Sequence, residues 1–117
     1  MLQPEQDPRL RAYVVWVPQL GAGLGDVSDA TRRVPDPRAR QFWDPSNSLG
    51  REYGQVLGLG FPVWDVYMLF KAGQMWTDAL PPAPAYWMHQ LGGVTAAPFL
   101  DPAVLARHAA SMLNSAP

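Results

Sequence analysis

Apolar positions along the chain gather in segments cut apart by Pro, Gly and Asp. Residues 12–17 (AYVVWV) are β-branched or aromatic on both alternating sides, which predicts a strand covered on both faces and stopped by Pro18. Residues 63–70 (VWDVYMLF) carry the strongest strand pattern in the chain. Lys71-Ala72-Gly73-Gln74 then reads as a turn, with Gly73 supplying a positive φ, and a partner strand near 75–77 (MWT) completes a β-hairpin. Helical spacing occurs twice. Leu49, Tyr53, Val56 and Leu57 predict a helix over 48–57, weakened by Gly50 and Gly54. Asp101-Pro102 is a helix-start signal, and Leu105, Ala109 and Met112 share one face of a helix over 102–113.

The segments between are punctuation. Residues 21–29 (GAGLGDVSD) read as a flexible loop. Pro35-Asp36-Pro37 offers a capping Asp with Pro at the first helical position, predicting a short helix from 37 to about 41. Pro81, Pro82 and Pro84 keep residues 78–86 extended and out of any central strand. The order is therefore strand, short helix, helix, hairpin, long loop, helix, which suggests an α/β sandwich.

Composition narrows the picture. A length of 117 residues fits one domain, 1–117, and the 13 Pro and 10 Gly argue against a helical bundle. A formal net charge of −1 lacks the surplus of Lys and Arg that nucleic-acid binding needs. No run approaches the roughly eighteen apolar residues of a membrane span. The opening MLQPEQDPRLR is polar and lacks the form of a secretory signal, so a soluble, cytoplasmic protein without membrane attachment is expected. The chain contains no Cys, which removes disulfides, thiolate metal sites and cysteine nucleophiles, and no cofactor is indicated.

Several phrases in this order carry a resemblance. Phe42-Trp43-Asp44-Pro45, then Gly50-Arg51-Glu52-Tyr53-Gly54, then Phe61-Pro62 before a strand resemble the second half of peroxiredoxin-like and thioredoxin-like chains. The phrases YVVWVP, DPRARQFWD, WDVYMLF and WMHQL also look like bacterial thioredoxin-like proteins, over most of the chain. The resemblance implies an incomplete thioredoxin-like sandwich, with a small sheet of about three strands, a C-terminal hairpin and flanking helices. It implies that Pro62 is a structural cis-proline. Full-length relatives would be thiol-disulfide oxidoreductases, whereas this chain lacks the cysteine-bearing βα unit and its redox activity. The missing strand is central in the family's sheet, between the equivalents of 12–17 and 63–70. Those two strands must pair directly, leave a gap, or borrow a strand, so dimerisation or completion by a partner strand is expected. A start site upstream of Met1 would supply the unit instead.

Candidate chemistry outside the thiol class is sparse. Asp65 lies within an apolar strand and would act as a general acid or base if desolvated; the structural alternative is a cap or a solvent-facing carboxylate. His89, in WMHQ, is a proton carrier or a structural histidine, and an enzyme using it would pair it with Asp65 beside Pro62. His108 is expected to face solvent on the last helix. A metal site lacks ligand spacing. Arg38 and Arg40, with Arg32 and Arg33, could grip an anion, or form a solvated face with Asp36 as local partner. A third reading is a peptide- or protein-binding module using the Trp/Pro-rich segment 81–91, with Tyr86 and Trp87 exposed together.

Overall fold

The structure is a computed structural model that describes residues 6–18, 32–76 and 80–115. Its elements are β1 (Ala12–Trp16), β2 (Ala39–Trp43), α1 (Ser48–Val56), β3 (Val66–Leu69), β4 (Tyr86–His89) and α2 (Pro102–Ser115). Among the described residues these form a small mixed α/β domain with two two-stranded sheets. The loop read at residues 21–29 lies outside the described residues.

β1 pairs in parallel with β2, Ala12 opposite Ala39 and Trp16 opposite Trp43. This corrects the short helix expected at 37–41. Asp36 spends its carboxylate on the turn: Arg38 N–H donates to Oδ1 at 2.8 Å, and Ala39 N–H donates to Asp36 O at 3.0 Å. An Asx turn and a helix cap begin with the same residues, and here pairing with β1 takes the chain into a strand. Trp16 Nε1–H donates to Gln41 Oε1 at 2.9 Å and so locks the register.

β3 pairs antiparallel with β4, Val66 opposite His89 and Leu69 opposite Tyr86. The sheets therefore hold four strands, not about three, and the hairpin's second strand is not the expected 75–77. Met75 and Trp76 belong to no strand, and residue 77 lies outside the described residues. Trp76 instead turns its ring edge to Tyr53, with centroids 6.0 Å apart. The proline run keeps the connector extended up to Ala85, whose N–H donates to Leu69 O at 2.8 Å and delivers Tyr86 to its partner. β3 also starts three residues later than the apolar run, because Asp65 adopts φ 56° and breaks the extended backbone.

α2 lies on the β3–β4 ladder. Leu69, Met88, Leu105 and Ala109 form the buried centre, with Tyr67, Tyr86, Leu100, Val104 and Met112 packed around it. The expected cap is present: Asp101 Oδ1 accepts from Ala103 N–H at 3.0 Å and Val104 N–H at 3.3 Å.

α1 explains its two glycines. Gly50 and Gly54 are four residues apart and share one face. A Cβ on Gly50 would lie far inside contact distance of Val63 O, and one on Gly54 would collide with Phe61 O. The close approach lets Val63 N–H donate to Gly50 O at 3.0 Å. Phe61–Pro62 is trans, which corrects the expected cis-proline. Gly58 and Gly60, both at positive φ, reverse the chain just before it, so the loop takes its bend there and Pro62 keeps the isomer favoured by about 0.5–1 kcal/mol.

Backbone accounting shows which edges are paired. Ala12 N–H donates to Arg38 O and Asp44 N–H to Trp16 O, so the even residues of β1 face β2. The N–H and C=O groups of Tyr13 and Val15 point the other way, with no hydrogen-bond partner among the described residues. Gln90 N–H donates to Asp65 O, so Val66 and Met68 likewise present their backbone groups away from β4, without a partner among the described residues. The far edge of β4 is covered at His89, whose N–H donates to Pro98 O at 3.2 Å and whose O accepts from Leu100 N–H at 2.7 Å, whereas the backbone groups of Trp87 on that edge have no partner among the described residues. β1 and β3 thus do not pair with each other. No residue of β1 or β2 is fully buried, and Tyr13 and Phe42 are 68% and 50% exposed.

Replacing Gly54 by Ala should destabilise the chain by about 1–3 kcal/mol despite its helix-propensity gain, because the methyl meets a backbone carbonyl. Replacing exposed Gln55 by Ala should change stability by less than about 0.5 kcal/mol. Urea unfolding followed by far-UV circular dichroism checks both.

Candidate functional site

The β3–β4 register decides which candidate residues can meet. Side chains alternate along a strand, so Asp65, Tyr67 and Leu69 share a face with Gln90, Met88 and Tyr86, the face on which α2 packs. Val66 and Met68 share the opposite face with Trp87 and His89. Asp65 and His89 therefore lie on opposite sides of the ladder, and the pair that an acid–base enzyme would need is not assembled. Tyr86 and Trp87 are separated in the same way, and each is half-buried, so they form no common exposed patch.

His89 is 1% exposed, and every polar atom it has is engaged. Nδ1 accepts the Leu91 N–H at 3.0 Å, and Nε2 lies 2.9 Å from Ala97 O, an arrangement that fits a neutral ring protonated on Nε2. The ring packs against Trp87 and Phe99, with centroids 5.8 and 5.9 Å away. This histidine fastens residues 91–100 to β4 and leaves no nitrogen for a substrate.

Asp65 stands at the entrance to β3 with its carboxylate half-exposed. Oδ1 accepts from the Tyr67 hydroxyl at 2.6 Å, and Gln90 Oε1 lies 3.0 Å from the same phenol. Burial, followed by the bond to Asp65 and that carboxylate's charge, pushes the Tyr67 phenol well above its ordinary value. Tyr67 is therefore a fixed proton donor to Asp65 and not a base. Asp65 Oδ2 has no hydrogen-bond partner among the described residues. Sequence reading named Asp65 but missed Tyr67 and Gln90. The period-two spacing of 65 and 67 signals the first, whereas Gln90 enters only once the register is known.

The arginines divide. Arg38 Nη2 lies 2.7 Å from Asp36 Oδ2 and its Nη1 donates to Asp7 O at 3.1 Å, so it ties the turn to the segment before β1. The guanidinium bond and the Arg38 N–H hold the Asp36 carboxyl down at about 2. Arg40 is exposed on the same face as Tyr13 and Phe42, whose rings stack with centroids 6.5 Å apart. His108 is exposed on α2 and stacks flat on Tyr86, 3.6 Å between centroids and 10° between planes.

Asp44 is a structural carboxylate. Its Oδ2 accepts the Leu49 N–H at 3.0 Å and caps α1, while Asn47 sits at φ 50° and makes no side-chain cap. Burial raises the Asp44 carboxyl, but the N–H groups of Leu49, Ser48 and Ser46 outweigh it and hold the group below its ordinary value.

Among the described residues no three His, Asp or Glu side chains are placed to hold a metal ion, and no helix is long and apolar enough to cross a membrane. Comparison with protein-family models, curated proteins and solved structures gave no match.

His89→Ala should cost about 2–4 kcal/mol, since it opens a cavity and strands the Leu91 N–H and Ala97 C=O. Thermal denaturation measures it. Asp44 contributes stability that is present above pH ~4 and lost as pH falls through its lowered folded value. Asp44→Asn should therefore flatten the acid limb of a stability–pH curve, and Asp44→Ala should cost about 1 kcal/mol at neutral pH.

Proposed function

We propose that this chain is a thioredoxin-like domain that works by binding, not by thiol chemistry, and that its sheet is completed by a β-strand from a partner seated between β1 and β3. The observation that carries the reading is the pair of open edges: among the described residues the backbone groups of Tyr13 and Val15 on β1, and of Val66 and Met68 on β3, have no partners, while His89 on the far edge of β4 is bonded to Pro98 and Leu100. Unpaired edges are templates for strand addition. A second fact agrees. Parallel strands belong in sheets covered on both faces, yet neither β1 nor β2 has a fully buried residue. The absence of Cys removes the nucleophile of thiol-disulfide exchange from this chain. A second copy is one source of the strand, which makes homodimerisation part of the reading.

Hydrogen exchange on the full chain, with light scattering across a concentration series, tests it. The amides of Tyr13, Val15, Val66 and Met68 should exchange fast in dilute protein, while those of Val14, Trp16, Tyr67 and Leu69 are slow. Protection of the fast set should grow as the protein associates or a strand is added. A strict monomer in which the fast set is already protected would overturn the reading.

A further inference from the structure

We infer that the open edge of β3 is the primary docking edge, and that it takes an extended segment of another polypeptide carrying a cationic side chain beside Asp65. The inference rests on the reading of the chain as a strand acceptor and deepens it by naming the edge and the chemistry of the occupant.

Two observations select β3 over β1. First, β3 sits on the buried core: Leu69 and Met88 lie at its centre, and Tyr67 packs against it. A strand added there meets a platform already rigid, so little ordering of the acceptor opposes binding. β1 has no such support. Second, β3 offers both backbone and charge. Val66 and Met68 each present an N–H and a C=O, two donors and two acceptors in a row. One residue before them stands Asp65, with Oδ1 fixed by the Tyr67 hydroxyl and Oδ2 without a hydrogen-bond partner among the described residues. The side chains beside Asp65, Tyr67 and Leu69 on an incoming strand lie on the same face of the extended sheet, within reach of direct cross-strand pairing. The first position favours Arg or Lys, and the one beside Leu69 favours an apolar residue. The left-handed backbone at Asp65, φ 56°, marks where the edge begins, so the cation defines the register of the added strand.

The test uses the full chain, labelled with ¹⁵N, and the peptide acetyl-Arg-Thr-Val-Thr-Val-Thr-amide, which sets Arg beside Asp65 and Val beside Tyr67 and Leu69. Three variants accompany it: two N-methylated at alternate residues, one in each phase, and one with Gln for Arg. Binding of the plain peptide should shift the Val66 and Met68 amides. N-methylation in the bonding phase should weaken binding about tenfold or more, as expected for losing two backbone hydrogen bonds. The Gln twin should bind about three- to fivefold more weakly, the scale of a partly exposed ion pair, and Asp65→Asn should abolish that difference. Equal binding of both N-methylated forms and the parent would overturn the inference. So would shifts confined to Tyr13 and Val15, although strand acceptance itself would then stand. Concentration-dependent self-association that blocks the peptide would overturn the separate-polypeptide occupant in favour of a second copy. No peptide shift together with a strict monomer would remove both this inference and the reading beneath it.

Discussion

The structure turns on the close approach of α1 to residues 61–63, which only glycine permits at positions 50 and 54. With the backbones in contact, Val63 is 2% exposed and bonded to Gly50, and Asn47 Nδ2 reaches Val63 O at 3.4 Å. Tyr53, between the glycines on the same helix, is then buried to 1%. It draws in Phe70 from the end of β3, Trp76 from the connector, and Pro82, whose carbonyl accepts its hydroxyl at 3.1 Å. Burying a ring of this size contributes a few kcal/mol, about 2–3. Burial also raises the phenol to about 12, so the hydroxyl remains a donor across the working pH range. One cost accompanies the contact: Asn47 Oδ1 is buried without a partner.

That contact joins two unequal halves. Asp44 ties α1 to β2 at one end, and Tyr53 ties it to the β3–β4–α2 layer at the other. The second half holds a packed centre, with His89 acting as a buried clasp on the far edge of β4. The first half consists of two parallel strands held by their own ladder, by Trp16 on Gln41, and by the Asp36–Arg38 turn. An isolated two-stranded sheet is marginal in water, and this one survives by attachment to α1.

Legibility in the sequence followed the range of the interactions. β1 and both helices were readable because their signals are local: β-branched runs, a 3.6-residue spacing, and an Asp-Pro start whose carboxylate caps as expected. β2 was misread because Asp36-Pro37 begins turns and helices alike, and only the distant β1 decides between them. The hairpin partner was misread because the Gly73 turn signal is strong locally, yet Tyr86 reaches Leu69 by way of an extended proline connector. The separation of Asp65 from His89 follows at once from period-two alternation, but only after the β3–β4 register is known. Gly50 and Gly54 looked like flaws in a helix because the backbone they admit lies a loop away.

The uneven distribution of buried residues also sets a timetable. Residues 12–43 leave the ribosome before any of the side chains that form the core, and their parallel pairing closes a long loop, the slow kind of contact. At ~5–20 residues per second, residues 44–109 follow over several seconds, and the β1 and β2 segments wait that long for the core to which α1 joins them. The core side chains are thus made after both strands of the first sheet. The nascent β1–β2 segment is therefore exposed to chaperones, proteases and wrong partners until the core is made.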